Sequence, residues 1–268
     1  MTINRHIIQL CCLPLACVFL SMAGLFTSGS NARAQDSDAA SILKSMSDYM
    51  SSQTAIEFTF DSNIEVITPQ LEKIQFTNSG EALLNRPNKL RARRVGGYAD
   101  VSLYFDGETA SVFAEHDNSY AQVAVPGTVD QLIEVLRAGH GVALPGADFL
   151  LSNSYEVLIA DVMEAKHIGR GVIGGVECEH LAFRNFDTDW QLWVEVGERP
   201  VPRKVVITSK TINGAPQYTF RIRTWNTDVK PDEKAFTFVP PADATQLDPN
   251  ALIHLDELPP EQPTGDNQ

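Results

Sequence analysis

Past its first 17 residues the chain has one cysteine, Cys178. No intramolecular disulfide can form from it in any redox compartment, so a packed core has to hold the fold. The signatures of common hydrolytic chemistry are missing as well. There is no GxSxG or HExxH, and no CxxC or HxxxH, so the sequence names no catalytic residue, no cofactor and no metal. Glu177-Cys178-Glu179-His180 puts Cys178 and His180 on one face of a strand, but two ligands do not make a metal site. Positive charge is scarce: 21 Lys and Arg stand against 34 Asp and Glu, a net charge of −13. That balance excludes nonspecific nucleic-acid binding, which is driven by neutralising phosphates. It equally disfavours attraction to an anionic membrane surface.

What is present begins with a leader. Arg5 and His6 form a basic start, Ile7–Phe26 is apolar, and Ala32-Arg33-Ala34 reads as an A-x-A cleavage site. The apolar run is long enough for a membrane anchor, but Pro14 and the A-x-A favour cleavage before Gln35. Neither Cys12 nor Cys17 has the upstream Leu that a lipidation signal needs, because Gln9 and Pro14 stand there. Cleavage removes Cys11, Cys12 and Cys17, leaves 234 of the 268 residues, and shifts the net charge to about −15 through loss of Arg5 and Arg33. The expectation is one exported domain over 35–247, with no stable membrane insertion after cleavage. An acidic, proline-rich tail over 248–268 lacks periodicity and is expected to be disordered.

Within the domain, Ser37–Met50 has apolar residues at three- and four-residue spacing (Ala39, Ile42, Leu43, Met46, Tyr49, Met50), the stripe of an amphipathic helix. From Ile56 to Val66 the period becomes two, with Ile56, Phe58, Phe60, Ile64 and Val66 on one side. Ile74, Phe76, Ala82 and Leu84 repeat it. One dry and one wet face mean antiparallel strands. Asp106-Gly107 and Asn213-Gly214 are type I′ hairpin signals. Gly169–Gly174 matches GxGxxG, but a strand follows rather than a helix, so Gly174-Gly175 is read as a hairpin turn. Thr128 with Gln131 is a capping box opening a short helix over Leu132, Ile133, Val135 and Leu136. Further helices are expected at Ala147–Leu151 and Tyr155–Met163, either as lids or as fixed core. The last third reads as a meander closing on a strand at Phe236 and Phe238, stopped by Pro240-Pro241.

GEALLNRPNKLRARRV followed by YFDGETASVFAEHDNSYAQV holds the densest basic cluster: Arg86, Lys89, Arg91, Arg93 and Arg94. On the strand from Lys89, Arg91 and Arg93 share one face with Lys89, while Arg94 joins Leu90 and Ala92 on the other. The Arg86-Pro87 pair after a glycine-started strand resembles the periplasmic lipoprotein carriers, the LolA/LolB-like family. DAASILKSMSDYMSSQTAIEFTF and AFTFVPPADA resemble that family's opening helix and strand and its closing segment. Asp189–Val196 and PRKVVITSK resemble a bacterial family of predicted periplasmic proteins thought to share the fold.

The resemblance implies an α+β fold: a half-open, strongly curved antiparallel β-barrel of about 10 to 11 strands, with helices covering its open side. It implies a non-enzymatic periplasmic carrier of a hydrophobic ligand, either a lipid or the acyl part of a lipidated protein. The alternative is a module that binds an envelope protein on the same fold without carrying lipid. The candidate ligand-binding residues are Met46, Met50, Phe58, Phe60, Phe76, Leu132, Leu136 and Phe220. Arg86 joins them, for which the resemblance implies a place at the cavity mouth.

Overall fold

The computed structural model describes residues 29–98, 100–142 and 144–250, with side chains from Asp38 onward. Most of the expected leader and the tail beyond residue 250 lie outside the described residues. A long helix, α1 (Gly29–Ser52), precedes six strands: β1 (Ala55–Ile67), β2 (Lys73–Asn85), β3 (Lys89–Gly96), β4 (Asp100–Phe105), β5 (Thr109–Ala114) and β6 (Ser119–Ala124). Two short helices follow, α2 (Val129–Glu134) and α3 (Ser154–Ile159). Then come β7 (Glu164–Ile173), β8 (Val176–Arg184), β9 (Thr188–Glu195), β10 (Pro202–Ser209), β11 (Gln217–Asn226) and a two-residue β12 (Thr245–Gln246).

All twelve strands form one sheet in the order β12-β6-β5-β4-β3-β2-β1-β11-β10-β9-β8-β7. Every pairing is antiparallel except β12 against β6. Two meanders, β1–β6 and β7–β11, are thus joined side by side where β1 pairs with β11. This topology explains the position of the helices. β6 and β7 stand near opposite ends of the sheet, so the segment linking them has to cross its face. The sheet is open between its end strands and curls without closing, in keeping with the half-open form expected, with twelve strands where about 10 to 11 were expected. Residues of β5 and β10 line one cavity although five strands separate them, roughly 29 Å on a flat sheet.

The turns depart from the expected geometry in an instructive way. At Asp106-Gly107 only Gly107 has positive φ (94°). The Asp106 carboxylate instead accepts from the amides of Glu108 and Thr109 (3.0 and 2.9 Å), and this side-chain capping replaces a type I′ turn. Around Asn213-Gly214 the positive φ values fall on Gly214 and Ala215. Gly174-Gly175 carries positive φ at both residues (60° and 87°) directly between the paired Ile173 and Val176, as a two-residue hairpin requires. The GxGxxG stretch is therefore strand and turn.

The closing strand expected at Phe236 and Phe238 is not formed. Glu233–Phe236 is a 3₁₀ turn, its N-cap Asp232 accepting from the Lys234 amide. Phe236 is buried, and the Phe238 ring lies against Tyr104, Phe113 and Tyr120 at 5.3–5.6 Å between centroids. Those three project from the outer face of β4–β6. The pull of that aromatic patch wins over pairing, so this segment straps the outside of the sheet.

The outer face is laced with ion pairs. Arg93 holds Asp100 through two bonds (3.0 and 2.8 Å), Arg91 approaches Glu81 at 3.8 Å, and Arg223 binds Asp61 at 2.6 Å. Hydrogen bonds from Arg93 and Arg223 hold the carboxyls of Asp100 and Asp61 below the ordinary carboxylate range. Carboxyls depressed by folding stabilise the fold above their unfolded value near pH 4, and that contribution disappears as pH falls through the folded values. Urea denaturation should therefore show stability falling from about pH 6 to about pH 3, and falling less in an Asp61→Asn/Asp100→Asn double variant. An equal fall in both proteins would contradict this assignment.

Candidate functional site: an apolar cavity under the helical crossover

The inner face of the sheet is divided. On one half, α1 lays Ala39, Leu43, Met46 and Met50 against Ala165, Leu181, Phe183, Trp190, Leu192, Val194 and Val205. That half is full. On the other half, the strands around β1–β5 and β11 face α2, Val142 and the segment 144–150, and here a cavity of about 220 Å³ remains. A water needs on the order of 10–15 Å³ of such space, so the void is far larger than a single solvent site.

Its walls follow from the alternation of the strands. Phe58, Phe60, Phe220, Ile222 and Trp225 form one side. Phe60 and Phe220 stand 4.8 Å apart and Phe58 and Trp225 5.7 Å, ring centre to ring centre. Trp225 reaches this face because the β1–β11 register shifts where Thr59 pairs with Thr224 and Phe60 with Ile222; the extra residue of β11 turns the next side chains over. The opposite wall carries Leu90, Ala92 and Arg94 of β3, Val101 and Leu103 of β4 and Val112 of β5. Leu132, Ile133 and Leu136 close the top, with Leu144, Phe149 and Leu150 beside them. The capping box is formed as expected: Gln131 N donates to the Thr128 hydroxyl, and the Thr128 amide donates to the Gln131 side chain.

The hollow has a sequence origin. Facing pairs across β2 and β3 are Leu84–Leu90, Ala82–Ala92 and Gly80–Arg94. Two alanines and a glycine stand where larger side chains would fill the space. Gly80 is required for a further reason: a Cβ there would lie 2.4 Å from the Phe60 ring and 2.5 Å from the Arg93 carbonyl. Even alanine would displace the aromatic wall.

Of the nine predicted residues, Met50, Phe58, Phe60, Leu132, Leu136 and Phe220 line the cavity. Three do not. Met46 is fully buried within the α1 half. Phe76 lies toward the far end of the 13-residue β2, past the helical cover, edge-on to Tyr98 at 5.5 Å. Arg86 sits behind the wall, its Nη2 donating to the Leu150 carbonyl (2.8 Å); burial lowers its pKa from the ordinary arginine value. Its role in this structure is to brace the cover. Asp130 of α2 acts beside it, accepting from the Ser152 amide (3.1 Å) and the Ser152 hydroxyl, and Arg137 binds Asp148 at 2.8 Å. An Arg86→Met variant should lose about 1–3 kcal/mol in denaturant unfolding, since a buried carbonyl loses its charged donor. Its amides at 147–151 should exchange faster. Unchanged stability with weakened ligand binding would instead make Arg86 a ligand contact.

The residues that sequence reasoning missed are mainly the β3–β5 wall, Trp225, Val142 and the 144–150 segment. The alternation of Leu90, Ala92 and Arg94 was readable, but not which strands share one void. Trp225 depends on a bulge that no local signal announces. Outside this site, Cys178 is buried, and that burial pushes its thiol up. The His180 ring stacks on Trp193 at 4.2 Å and bonds Gln191.

Among solved structures, the chain is similar to the lipoprotein LppX of Mycobacterium tuberculosis (15% identity, TM-score 0.46, covering 74% of this chain and 100% of that one). It is also similar to a LolA superfamily protein from Nitrosomonas europaea (12%, 0.35, 75% and 97%), and to MucB of Pseudomonas aeruginosa in its complex with MucA (14%, 0.42, 75% and 61%). No protein of curated function matches in sequence. No helix among the described residues is long and apolar enough to cross a membrane. The family model of a predicted periplasmic protein, DUF2092, matches residues 39–248, a span that takes in the last turns of α1, both meanders and the crossover enclosing the cavity. The chain belongs to the DUF2092 family of predicted periplasmic proteins.

Proposed function

We propose that this protein is an exported, non-enzymatic binding or carrier protein that takes up a hydrophobic ligand, a lipid or the acyl chain of a lipoprotein, in the cavity. The observation that carries the reading is the division of the inner face. One half is packed by α1, while the other keeps about 220 Å³ lined almost entirely by aliphatic and aromatic side chains. Burying each methylene there is favourable by about 0.8 kcal/mol. Residues 35–247 form the single binding domain in this reading, after cleavage behind Ala34. The intact mass of the exported protein tests that boundary, and a start other than Gln35 would move it. A fluorescent fatty acid should bind the delipidated protein saturably at one site and be displaced by unlabelled acid. Absence of saturable binding would sink the proposal.

A second reading, binding of an envelope protein without lipid carriage, is favoured by one feature. β7 is the terminal strand of the sheet, and its Ile168 and Val172 are 54% and 67% exposed, with Phe186 nearby in sequence at 86%. Such an edge suits strand addition by a partner. Capture of one stoichiometric protein, lost with Ile168→Lys/Val172→Lys and accompanied by no lipid, would favour it over the carrier reading.

A further inference from the structure

We infer that one rim of the sheet is a membrane-docking surface: the exposed side chains of Leu71, Tyr98, Met163 and Phe186 dip into the interface of a zwitterionic phospholipid bilayer and hold the Tyr218 end of the cavity toward it. The docking stands on the rim alone. That it serves uptake or delivery rests on the reading of the cavity as a ligand site.

The meanders put alternate turns at opposite ends of the strands. One rim carries the β1–β2, β3–β4, β5–β6, β8–β9 and β10–β11 connections and the entry to β7. Ten large hydrophobic residues are exposed among the described residues, and five of them are on that rim: Leu71 (70%), Val95 (42%), Tyr98 (55%), Met163 (70%) and Phe186. None lies in the turns of the opposite rim, 86–88, 106–108, 174–175 and 196–201. Scattered single hydrophobes need no explanation, but a one-sided set does. Leu71 is a second sign. Its φ is 64°, a left-handed conformation that suits glycine or asparagine better than leucine. The turn is fixed by bonds from the Leu71 amide to the Thr68 carbonyl (2.9 Å) and from the Glu72 amide to the Thr68 hydroxyl (3.1 Å), so the leucine is presented outward rather than packed. Met163 stands beside the β8–β9 turn, its amide on the Arg184 carbonyl (2.8 Å), which puts it at one corner with Phe186.

A bilayer fits this rim better than a protein partner does. The hydrophobes stand singly at separate turn tips from β3 across to β7, not in the contiguous patch that marks a protein interface. A lipid interface accepts such dispersed insertions, its hold growing with the apolar area buried. Tyrosine suits that boundary, with its ring in the apolar layer and its hydroxyl in water. Electrostatic attraction is not the driver. Glu72, Glu115, Asp117 and Asp187 lie in the same turns, and Lys73 and Lys210 at this rim are held by Glu65 and Asp189 at 3.1 Å each. An anionic surface is therefore repelled and a zwitterionic one preferred. The cavity leads to this rim. Tyr218 of its wall pairs with Ile64, Ile64 pairs with Phe76, and the Phe76 ring meets Tyr98 at 5.5 Å. An apolar row thus runs from the cavity to one of the docking tips.

The test is flotation of the delipidated mature protein with vesicles of dioleoylphosphatidylcholine, alone or mixed with phosphatidylglycerol. The protein should float with the phosphatidylcholine vesicles and less with the mixed ones, and added salt should narrow that difference by screening the repulsion. Leu71→Ser/Phe186→Ser should weaken binding at least about tenfold, through the lost burial of two large side chains, with urea denaturation unchanged because both residues are exposed. Ile168→Ser/Val172→Ser on the β7 edge should float like the unsubstituted protein. Transfer of a bound fluorescent fatty acid should speed up with phosphatidylcholine vesicle concentration, and much less so in the Leu71/Phe186 variant. Absence of flotation, a preference for the anionic vesicles, flotation that survives Leu71→Ser/Phe186→Ser, or its loss in the β7 variant would overturn the inference. So would capture of one envelope protein through Leu71 and Phe186 with no vesicle binding, which would make the rim a protein interface. A fatty acid that never binds while flotation persists removes the carrier reading and leaves the docking surface standing.

Discussion

Ala92→Trp should abolish uptake of an acyl probe while leaving the fold as stable as before. Ala92 faces Ala82 across β2 and β3 and lines the cavity. An indole there occupies the space an acyl chain would take. Excluding four methylenes at about 0.8 kcal/mol each removes about 3 kcal/mol of binding, more than 100-fold in affinity. In a close-packed core the same substitution would cost about 1–3 kcal/mol or more by overpacking. A hollow accepts the ring without that cost. Probe titration and urea denaturation of the one variant therefore separate a void from a full core: lost binding with unchanged stability supports the void. Retained binding contradicts it, and so does a fall in stability of several kcal/mol.

Met46→Ala should do the reverse. Met46 is fully buried between α1 and the β7–β10 half, and no part of it lines the cavity. Truncation leaves a space in a filled region, at a cost of about 2–5 kcal/mol. For a domain of this size that is a drop in Tm of roughly 7–14 °C at the middle of the range. Affinity for the acyl probe should stay within about twofold, as expected for sites without shared partners. A thermal melt paired with a titration checks both halves. A large loss of affinity would mean that α1 belongs to the ligand site after all.

These two residues also show where the sequence was legible. Met46 and Met50 sit four apart on one stripe of α1, and the stripe was read correctly as buried. Met50, one turn nearer the C-terminal end of α1, reaches the cavity and Met46 does not. Helical periodicity defines a face but not the neighbour that the face meets. The period-two reading of Phe58, Phe60 and Phe220 succeeded for the complementary reason. An aromatic on a dry face of a curved sheet has to point inward. Phe76 obeys the same alternation but lies where β1 and β2 outrun the helices, a consequence of strand length that local pattern does not encode.

How far the sheet closes, and the outside strap, were less accessible. Closure depends on whether β6 and β7 meet, and those strands are joined by a helical segment whose path is a tertiary matter. Phe236 and Phe238 alternate like a strand, but β6 gains only the two residues Thr245 and Gln246 as its partner, and the phenylalanines pack on the sheet's outer side. Arg94 was legible in part. An arginine sharing a strand face with Leu90 and Ala92 is a charged residue in an apolar row, which is unusual enough to mark. What it faces became visible only once β3, β4 and the crossover were assembled around one space.

The hollow itself, and its use, can be examined in a single native mass spectrum of the protein purified gently from its own cell envelope. The account predicts a one-to-one adduct of lipid mass on the unsubstituted protein that is missing from Ala92→Trp. A bare protein peak in both, or the same adduct on both, would contradict it.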